Sequence, residues 1–427
     1  MDSEDIVNYA KTIGFDDVVA SIKKRHTQQV KIAMNRVENV FDWNYFDTDI
    51  FLAYKKRTMT LGLDSPAEKK VTDALEKARK RIETMEPNED YYGIADPSFR
   101  SDGDGIEDRE LELLPEAHRA LSLSRGLNCA GVVEGFITNR ENATSSGAFF
   151  TDSNEFYRVC IRLYSDVETS GQSVECSKSL DIERCIKTAK EMAKRAEKPV
   201  HADPGSYEVL YTPLAFSNLI DEVLNFSSIY SVESGMSFLA GRENSEVSAE
   251  EFSLYDDGTL PSVNRRRFDD EGMKTRRNAV IERGVLKTHL YNTTYARKHK
   301  KESTGNAGII APSPWCGDVL EGHRSIEDLI KGMKRGIIIT NTWYTRFQNY
   351  RTAEFSTMPR DCALLVEDGE IKRSLKYLRV NDTLERMLKS ITALSKEREH
   401  VYWWETEIPV ITPWALVDGV KITGSGS

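Results

Sequence analysis

The chain has 427 residues, of which 39% are hydrophobic and 30% are charged, and its formal net charge is −10. A chain of this length and composition can bury the cores of two or three domains. Its mean hydropathy of −0.49 and the lack of ~18 to 20 consecutive apolar residues argue against a membrane-spanning helix. The acidic balance argues against general DNA affinity, because phosphate binding needs a basic surface. The first residues are acidic rather than basic, so we expect no secretory signal and a cytoplasmic protein.

Six cysteines are scattered along the chain, and no two of them form a Cys-x-x-Cys pair. This spacing favours neither a zinc ribbon nor a disulfide framework, so we expect free thiols in a reducing compartment. Cys316 lies in a loop without a neighbouring histidine that would activate it. We therefore interpret Cys316 as structural rather than nucleophilic.

The first 200 residues predict an N-terminal α+β domain built from two halves, at about 1–90 and 115–200. In each half, strands with alternating apolar residues come first and an amphipathic helix follows. We expect N-caps at Ser65 for the first helix and at Asp181 for the second. The predicted strands are 17–22, 29–34, 49–54, 57–61, 130–138 and 156–164.

An acidic stretch from Asp102 to Asp108 connects the two halves and resembles a calcium-binding loop in composition. If Gly105 is the turn glycine, the first and twelfth ligand positions fall on Arg100 and Leu111, where carboxylates are expected. We therefore interpret the stretch as a solvated loop, and whether it binds a cation stays open.

Residues 205–423 predict a large, mostly antiparallel, β-rich C-terminal domain with a few helices. Asp-Gly pairs between apolar runs, at 368–369 and 418–419, predict hairpins, because two-residue turns need residues with positive φ. We expect a helix with Thr212 as N-cap, and two more at 325–334 and from 382 to about 396. The last residues, 424–427, look like a remnant added for expression.

Common catalytic motifs are missing from the sequence. It contains no His-Glu-x-x-His, no Gly-x-Ser-x-Gly, no phosphate-binding P-loop and no Gly-x-Gly-x-x-Gly. None of the seven histidines lies within a helical turn of another, so a zinc site with two histidines on one helix is excluded. The helix predicted after Thr212 contains neither histidine nor cysteine over residues 212–224.

A dense polar cluster follows at 254–278, where acidic residues and arginines are separated by glycines. Such residues could line a cleft in which arginines meet a peptide carboxylate and acids meet an amine. They could equally form ion-paired turns at the edges of a sheet, and both interpretations stay open. The short basic run at 265–267 favours a solvated turn or an internal ion pair.

These segments resemble the TldD/PmbA family, whose PmbA-like members are also called TldE. The resemblance extends over residues of about 205 to 423, and the first 200 residues are compatible but less specific. The matching segments are 241–242, 254–257, 259–261, 268–272, 275–277, 282–287, 295–298, 303–307, 325–330, 336–340 and 366–371.

The resemblance implies a heterodimeric metallopeptidase with one TldD-type and one TldE-type subunit. In the TldD type, a His-Glu-x-x-x-His motif on a helix and a cysteine near the C-terminus hold zinc, which activates water for amide hydrolysis. This sequence lacks both, because the helix after Thr212 has no histidine and residues 401–423 have no cysteine. We therefore expect a metal-free, TldE/PmbA-like subunit, with zinc in a TldD-type partner and unfolded or small peptides as substrates.

No catalytic or metal-binding residue is expected in this chain, nor is a nucleic-acid or membrane partner, and a homodimer could form when the chain is alone. The aromatic pairs 343–344 and 403–404 could contribute to an interface or to the core. Two alternative functions stay open: a stand-alone homodimeric peptidase with an unrecognised site, and a regulatory binding protein of a DNA-handling enzyme. The residues expected to contact peptide or partner are Arg242, Asp269, Asp270, Glu271, Arg276, Arg277 and Asn306.

Overall fold

The computed structural model describes residues 1–103, 105–106, 109–165 and 169–424. The fold is α+β with mostly antiparallel sheets, as the sequence predicts, and two sheets follow one another along the chain. The division into two domains stays a prediction. The acidic stretch 102–108 lies partly outside the described residues, at 104, 107 and 108, and so does most of the C-terminal tail, at 425–427. No helix within the described ranges is long and apolar enough to cross a membrane.

The N-terminal half contains the first sheet and the helices that cover it. Its elements, in chain order, are α1 (Ser3–Thr12), β1 (Asp17–Ala33), β2 (Arg36–Tyr54), β3 (Arg57–Leu63), α2 (Glu68–Ile82), β4 (Phe99–Ser101), α3 (Leu114–Leu123), β5 (Asn128–Thr144), β6 (Ala148–Tyr164), β7 (Ser170–Ser177) and α4 (Ile182–Arg195).

The first sheet has the strand order β3-β2-β1-β5-β6-β4, and β7 also pairs with β6. Both predicted halves contribute to it, because β1 pairs with β5 from Val19 to Ile32. The sequence predicted two strands at 17–22 and 29–34, but β1 is continuous through the polar residues between them. Those residues stay in the strand because each of them pairs with both β2 and β5.

The two faces of this sheet differ in character. All four helices pack on one face, where Val18, Ala20 and Val30 of β1 are fully buried. Successive side chains of a strand point to opposite faces. The other face therefore carries the polar residues Ser21 and Lys23 of β1, and it is turned toward the C-terminal half.

The helix N-termini were only partly predicted. Asp181 caps α4 as expected, since its carboxylate accepts a hydrogen bond from Arg184 N at 2.9 Å. The prediction for α2 was wrong, because this helix begins at Glu68 after Ala67, and Ser65 Oγ instead accepts from Ala67 N. Helices α1 and α3 were not predicted. Each is short, so its apolar periodicity covers few turns.

The C-terminal half contains the second sheet. Its elements are β8 (Val200–His201), β9 (Gly205–Tyr211), α5 (Pro213–Ser227), α6 (Ile229–Glu233), β10 (Leu254–Asp257), β11 (Arg277–Glu282), β12 (Val285–Leu286), α7 (Thr293–Lys298), β13 (Gly317–Val319), α8 (Ile326–Gly332), β14 (Arg335–Ile339), β15 (Thr342–Asn349), β16 (Glu354–Pro359), β17 (Ala363–Glu367), β18 (Glu370–Lys376), β19 (Leu378–Thr383), α9 (Leu384–Lys389), β20 (Ile391–Trp403) and β21 (Thr406–Gly424).

Strand β21 is the centre of the second sheet. The main strand order is β12-β11-β10-β13-β21-β9-β14-β17-β18-β8, and β21 also pairs with β19 and β20. Helix α5 packs against β21, and Phe216, Leu219 and Val223 on this helix are fully buried in the largest apolar core. Helix α5 begins with Pro213 directly after Thr212, as predicted.

The two predicted Asp-Gly hairpins have different outcomes. Asp368 and Gly369 both have positive φ, 51° and 75°, and form the tight turn between β17 and β18 as predicted. The hairpin at 418–419 was wrong, because β21 continues through it. Only Gly419 has positive φ there, 67°, and the register with β9 shifts at this point, so the pair forms a bulge.

One other prediction was wrong in the C-terminal half. The helix predicted from 382 to about 396 ends at Lys389, and β20 begins at Ile391. The aromatic pair at 403–404, for which an interface and a core position both stayed open, divides between an exposed and a buried residue. Trp404 is 58% exposed and Trp403 is only 1% exposed, because strand residues alternate between a buried and an open face.

Candidate functional site

A cleft forms where the polar face of the first sheet meets the C-terminal half. On one side, Arg267 N donates to Asp152 Oδ2 at 2.7 Å, and Asn154 Nδ2 donates to Ser262 O at 2.8 Å and to Val263 O at 3.1 Å. These contacts hold the 262–267 segment against β6. The cleft lies on the other side, between β1, β2 and β3 and the loop at 308–311.

Two neighbouring cavities make up this cleft. Both have Asp270 and residues 308–310 in their walls. The smaller cavity, of about 190 Å³, extends to Glu271. The larger, of about 450 Å³, is lined by Asp49 and Arg266. Two of the expected contact residues, Asp270 and Glu271, therefore lie in the cleft.

Asp270 is loosely held by its neighbours. Its Oδ1 lies 3.5 Å from Arg266 Nη1 and 3.5 Å from Asn142 Nδ2, so both contacts are long for hydrogen bonds. Glu271 is more enclosed, and its Oε2 accepts from Thr293 N at 3.3 Å. Burial raises the pKa of the Glu271 carboxyl, which favours a protonated acid that can donate a hydrogen bond in the cleft.

Asp269 has a structural position instead. It is fully buried, and its Oδ1 accepts from the backbone N–H groups of Glu271 at 3.0 Å and Met273 at 2.9 Å. Its Oδ2 accepts from Ala307 N at 2.9 Å. The carboxyl thus ties its own turn to a second loop. Burial and the nearby Glu271 raise the pKa of Asp269.

Asn306 likewise belongs to a buried hydrogen-bond network. Its Nδ2 donates to Asp256 Oδ2 at 2.6 Å, and its Oδ1 accepts from Asn278 Nδ2 at 3.1 Å. Asp256 Oδ1 in turn accepts from Trp315 N at 2.6 Å and Cys316 N at 3.1 Å. Burial raises the pKa of Asp256 to about 6 despite these donors. The network fixes the loop that forms one wall of the cleft.

The three arginines expected to bind peptide or partner have partners outside the cleft, and none of them lines either cavity. Arg242 forms an ion pair with Glu385 at 3.1 Å. Arg276 donates to a backbone carbonyl oxygen in the 303–306 loop. Arg277 pairs with Asp318 at 2.8 Å and packs on an aromatic ring. These residues were grouped by sequence proximity, which does not determine the direction of their side chains.

Two cations beside the cleft, Lys23 and Arg140, were missed by sequence reasoning. Lys23 lies on β1 directly opposite Arg140 on β5, and Arg266 of the predicted polar cluster approaches them from the C-terminal half. Burial lowers the pKa of Lys23, and it lowers the pKa of Arg266 to about 9, with a further contribution from Arg140. Only the register between β1 and β5 would have brought Lys23 and Arg140 together.

Helix α5 is the element on which the resemblance places zinc ligands in TldD-type subunits. Its polar side chains contact the turn between β20 and β21: Ser217 Oγ lies 3.2 Å from Thr406 Oγ1, and Asn218 Nδ2 donates to the carbonyl oxygen of Glu405. Asp221 accepts from the backbone N–H groups at 407 and 408. These engaged oxygen and amide groups do not fit a zinc site, for which His, Cys and free carboxylate ligands are typical.

Elsewhere, within the part of the chain that the structure describes, no three His, Cys, Asp or Glu side chains come together in a metal-binding arrangement. Cys316 is fully buried, and burial raises the pKa of its thiol. A buried thiol with a raised pKa is a poor nucleophile, which agrees with its structural interpretation.

The comparisons with known proteins identify the family. Residues 204–424 match the model described as the PmbA/TldA metallopeptidase C-terminal domain. The chain belongs to the TldD/PmbA family. The fold is also that of TldE from Thermococcus kodakarensis, with a TM-score of 0.84, 22% identity and coverage of 99% of both chains.

Other similar proteins align with this chain over different lengths. A metalloprotease of Methanocaldococcus jannaschii is 26% identical over 49% of this chain, and the alignment spans about half of that relative, 48%. A metalloprotease of Methanothermobacter thermautotrophicus is 23% identical over 93% of this chain and 90% of its own length. The similarity thus supports a metallopeptidase-like family member, and the activity of this chain is a matter for proposal.

Proposed function

We propose that this chain is the metal-free, TldE/PmbA-type subunit of a heterodimeric peptidase whose zinc is held by a TldD-type partner. The complex would cleave unfolded or small peptides, and this subunit would supply part of the surface that positions them. In this arrangement, the chain contributes shape and charge to the peptide cleft rather than the metal that activates water.

The hydrogen bonds made by helix α5 are the main support for this proposal. The side chains of Ser217, Asn218 and Asp221 hold the turn between β20 and β21, so they are occupied by structural hydrogen bonds. Replacing these residues by metal ligands would remove the hydrogen bonds that hold that turn. A helix whose polar side chains form internal hydrogen bonds instead of binding metal is expected of a subunit that depends on a partner for its metal.

Two exposed aromatic residues support a partner surface. Trp404 is 58% exposed and lies in the turn held by α5, and Tyr344 is 48% exposed and donates a backbone hydrogen bond to Glu405 of the same turn. Large aromatic side chains are enriched in the buried centres of protein interfaces. We therefore propose that the partner covers the side of the molecule that carries Trp404.

The test is reconstitution with the TldD-type protein of the same organism. We expect the two chains to form a 1:1 complex by size-exclusion chromatography with light scattering. An unstructured fluorogenic peptide should be cleaved only by the complex, and a chelator should abolish cleavage. Metal analysis should find zinc in the partner preparation and none in this chain. Stoichiometric zinc and chelator-sensitive cleavage by this chain alone would overturn the proposal.

A pair of variants tests the partner surface. Trp404→Asp should weaken the complex at least tenfold, because it places a charge where an apolar contact is proposed. Met34→Asp is the matched control: Met34 is 83% exposed in the turn between β1 and β2, so the same substitution there should leave the complex unchanged. Equal effects of the two variants would contradict this location of the partner.

A further inference from the structure

The cations beside the cleft have an unusual lack of partners. Among the described residues, no side-chain hydrogen bond or ion pair involves Lys23 or Arg140, although the carboxylates of Asp49 and Asp270 act electrostatically on Lys23. Arg140 is only 8% exposed, and its Nε and Nη1 atoms are buried without a hydrogen-bond acceptor. Arg266 Nε is also buried and unpartnered, although the carboxylate of Asp270 lies 3.5 Å from Arg266 Nη1 and those of Asp269 and Asp152 also act on this arginine.

Such an arrangement is costly in a folded protein. A buried charge that is neither paired nor hydrogen-bonded loses its hydration without compensation. Most buried polar groups in native structures are satisfied, so a cluster of unsatisfied donors requires an explanation. An anionic group that binds beside Lys23, Arg140 and Arg266 would satisfy all of them at once.

The larger cavity reaches the cluster at Arg266, whereas Lys23 and Arg140 lie behind its wall. Arg266 stacks on Trp315 with the guanidinium carbon 3.5 Å from the ring centroid. This stacking covers one face of the guanidinium and leaves its N–H edge for an in-plane acceptor, which is the geometry that a carboxylate uses with arginine. The cavity volume of about 450 Å³ accommodates the end of a peptide rather than a single ion.

The charges around the cavity favour a singly charged ligand. Two carboxylates, Asp49 and Asp270, line the same cavity as Arg266. They offset part of the positive charge and would repel a phosphate, which carries close to two negative charges at neutral pH. A carboxylate carries one negative charge and would be repelled less by these acids than a phosphate.

We propose that Lys23, Arg140 and Arg266 form a subsite for a peptide carboxylate, either the C-terminal carboxylate or that of an acidic side chain. The subsite rests on the proposed function in that its ligand is a peptide. It specifies a preference for peptides that carry a negative charge at the bound end. Because all three residues belong to this chain, the preference belongs to the chain without any partner.

The test is binding of short unstructured peptides to the full chain alone, measured by isothermal titration calorimetry. Three peptides of one sequence are compared: one with a free C-terminus, one with an amidated C-terminus, and an amidated one that contains a single glutamate. We expect the free acid to bind about tenfold more tightly than the neutral amide, in line with one charge-assisted pair. Tighter binding of the glutamate peptide than of the neutral amide would assign the carboxylate to a side chain as well.

Variants connect the preference to the three residues. The double variant Lys23→Met with Arg140→Met should bind the free acid and the amide equally. Lys24→Met is the matched control, because the neighbouring residue of the same strand points to the opposite face of the sheet, and it should keep the tenfold difference. Circular dichroism and thermal unfolding of each variant verify that it is folded.

Several outcomes would overturn the inference. These are equal binding of the three peptides to the unmodified chain, an unchanged preference in the folded double variant, no measurable binding of any peptide, and tighter binding of inorganic phosphate than of acetate. These results differ from those that overturn the proposed function, which concern zinc, cleavage and complex formation with the partner. Failure of either can thus be told from failure of the other.

Discussion

Two buried polar regions of the molecule, the Asp256 network and the cluster of Lys23, Arg140 and Arg266, differ in how their side chains are partnered. In the C-terminal half, Asp256 accepts hydrogen bonds from Asn306, Trp315 and Cys316, so both of its oxygens are satisfied. On the polar face of the N-terminal sheet, Arg140 is 8% exposed and has two unpartnered nitrogen atoms. The comparison separates a satisfied network, which supports the fold, from an unsatisfied cluster, for which we propose a binding role.

The largest expected effect breaks the satisfied network. Asp256→Ala leaves the amide of Asn306 and two backbone N–H groups buried without an acceptor. We expect the free energy of unfolding to fall by about 3 to 5 kcal/mol, as when one partner of a buried polar network is removed. Urea denaturation followed by tryptophan fluorescence measures this loss.

An exposed acid provides the control for this variant. Glu250 pairs with Arg283, and both side chains are largely exposed. Glu250→Ala should change the free energy of unfolding by less than about 0.5 kcal/mol, because surface ion pairs contribute little. If Asp256→Ala were as mild as Glu250→Ala, the network would not be the support that its hydrogen bonds indicate.

A smaller effect concerns Asp221, whose carboxyl accepts two backbone hydrogen bonds although burial disfavours its ionised form. Burial raises the pKa of Asp221 from 3.8 to about 8, with a further contribution from Glu222. The folded state therefore retains a proton that the unfolded state releases, so this contribution to stability is complete below about pH 4 and is lost as the pH rises toward 8. Its slope is at most about 1.4 kcal/mol per pH unit, or about 3 kcal/mol between pH 5 and 7.

Asp221→Asn isolates this contribution. The asparagine cannot ionise, so the free energy of unfolding of the variant should fall less steeply between pH 5 and 7 than that of the unmodified chain. At any one pH, the variant also lacks an acceptor for one of the two backbone N–H groups at 407 and 408. Equal slopes for the two proteins, from urea denaturation at several pH values, would contradict a raised pKa at Asp221.

The smallest expected effect concerns the unsatisfied cluster, and it is an increase in stability rather than a loss. Arg140→Met removes a buried cation without a partner. We expect the free energy of unfolding of the ligand-free chain to rise by about 1 kcal/mol, because an apolar side chain of similar length avoids the loss of hydration. A loss of several kcal/mol in the same denaturation assay would assign Arg140 to the support of the fold.

The sequence predicted much of the fold where the signal is local. The Asp181 cap, the start of α5 after Thr212 and the 368–369 hairpin follow from short motifs, and the structure confirms them. The continuous β1, the bulge at 418–419 and the short α9 were missed. In each, pairing with distant strands overrides the local preference of the segment.

The candidate site was predictable to a lesser extent. Asp270 and Glu271 line the cleft, and their role in binding stays a prediction. Asp269 and Asn306 are in the same region but support its loops. Lys23 was missed because a single lysine in a strand has no motif. The role of this lysine depends on which residue of the neighbouring strand lies opposite it.

By itself, the sequence determined the TldD/PmbA family and the lack of histidine on the helix after Thr212, because both are properties of consecutive residues. Only the tertiary structure decided which polar residues are satisfied. Lys23, Arg140 and Arg266 are more than a hundred residues apart from one another and meet through the β1–β5 register and the packing of the two halves. Whether a buried charge has a partner depends on distances across the fold, which local sequence patterns do not encode.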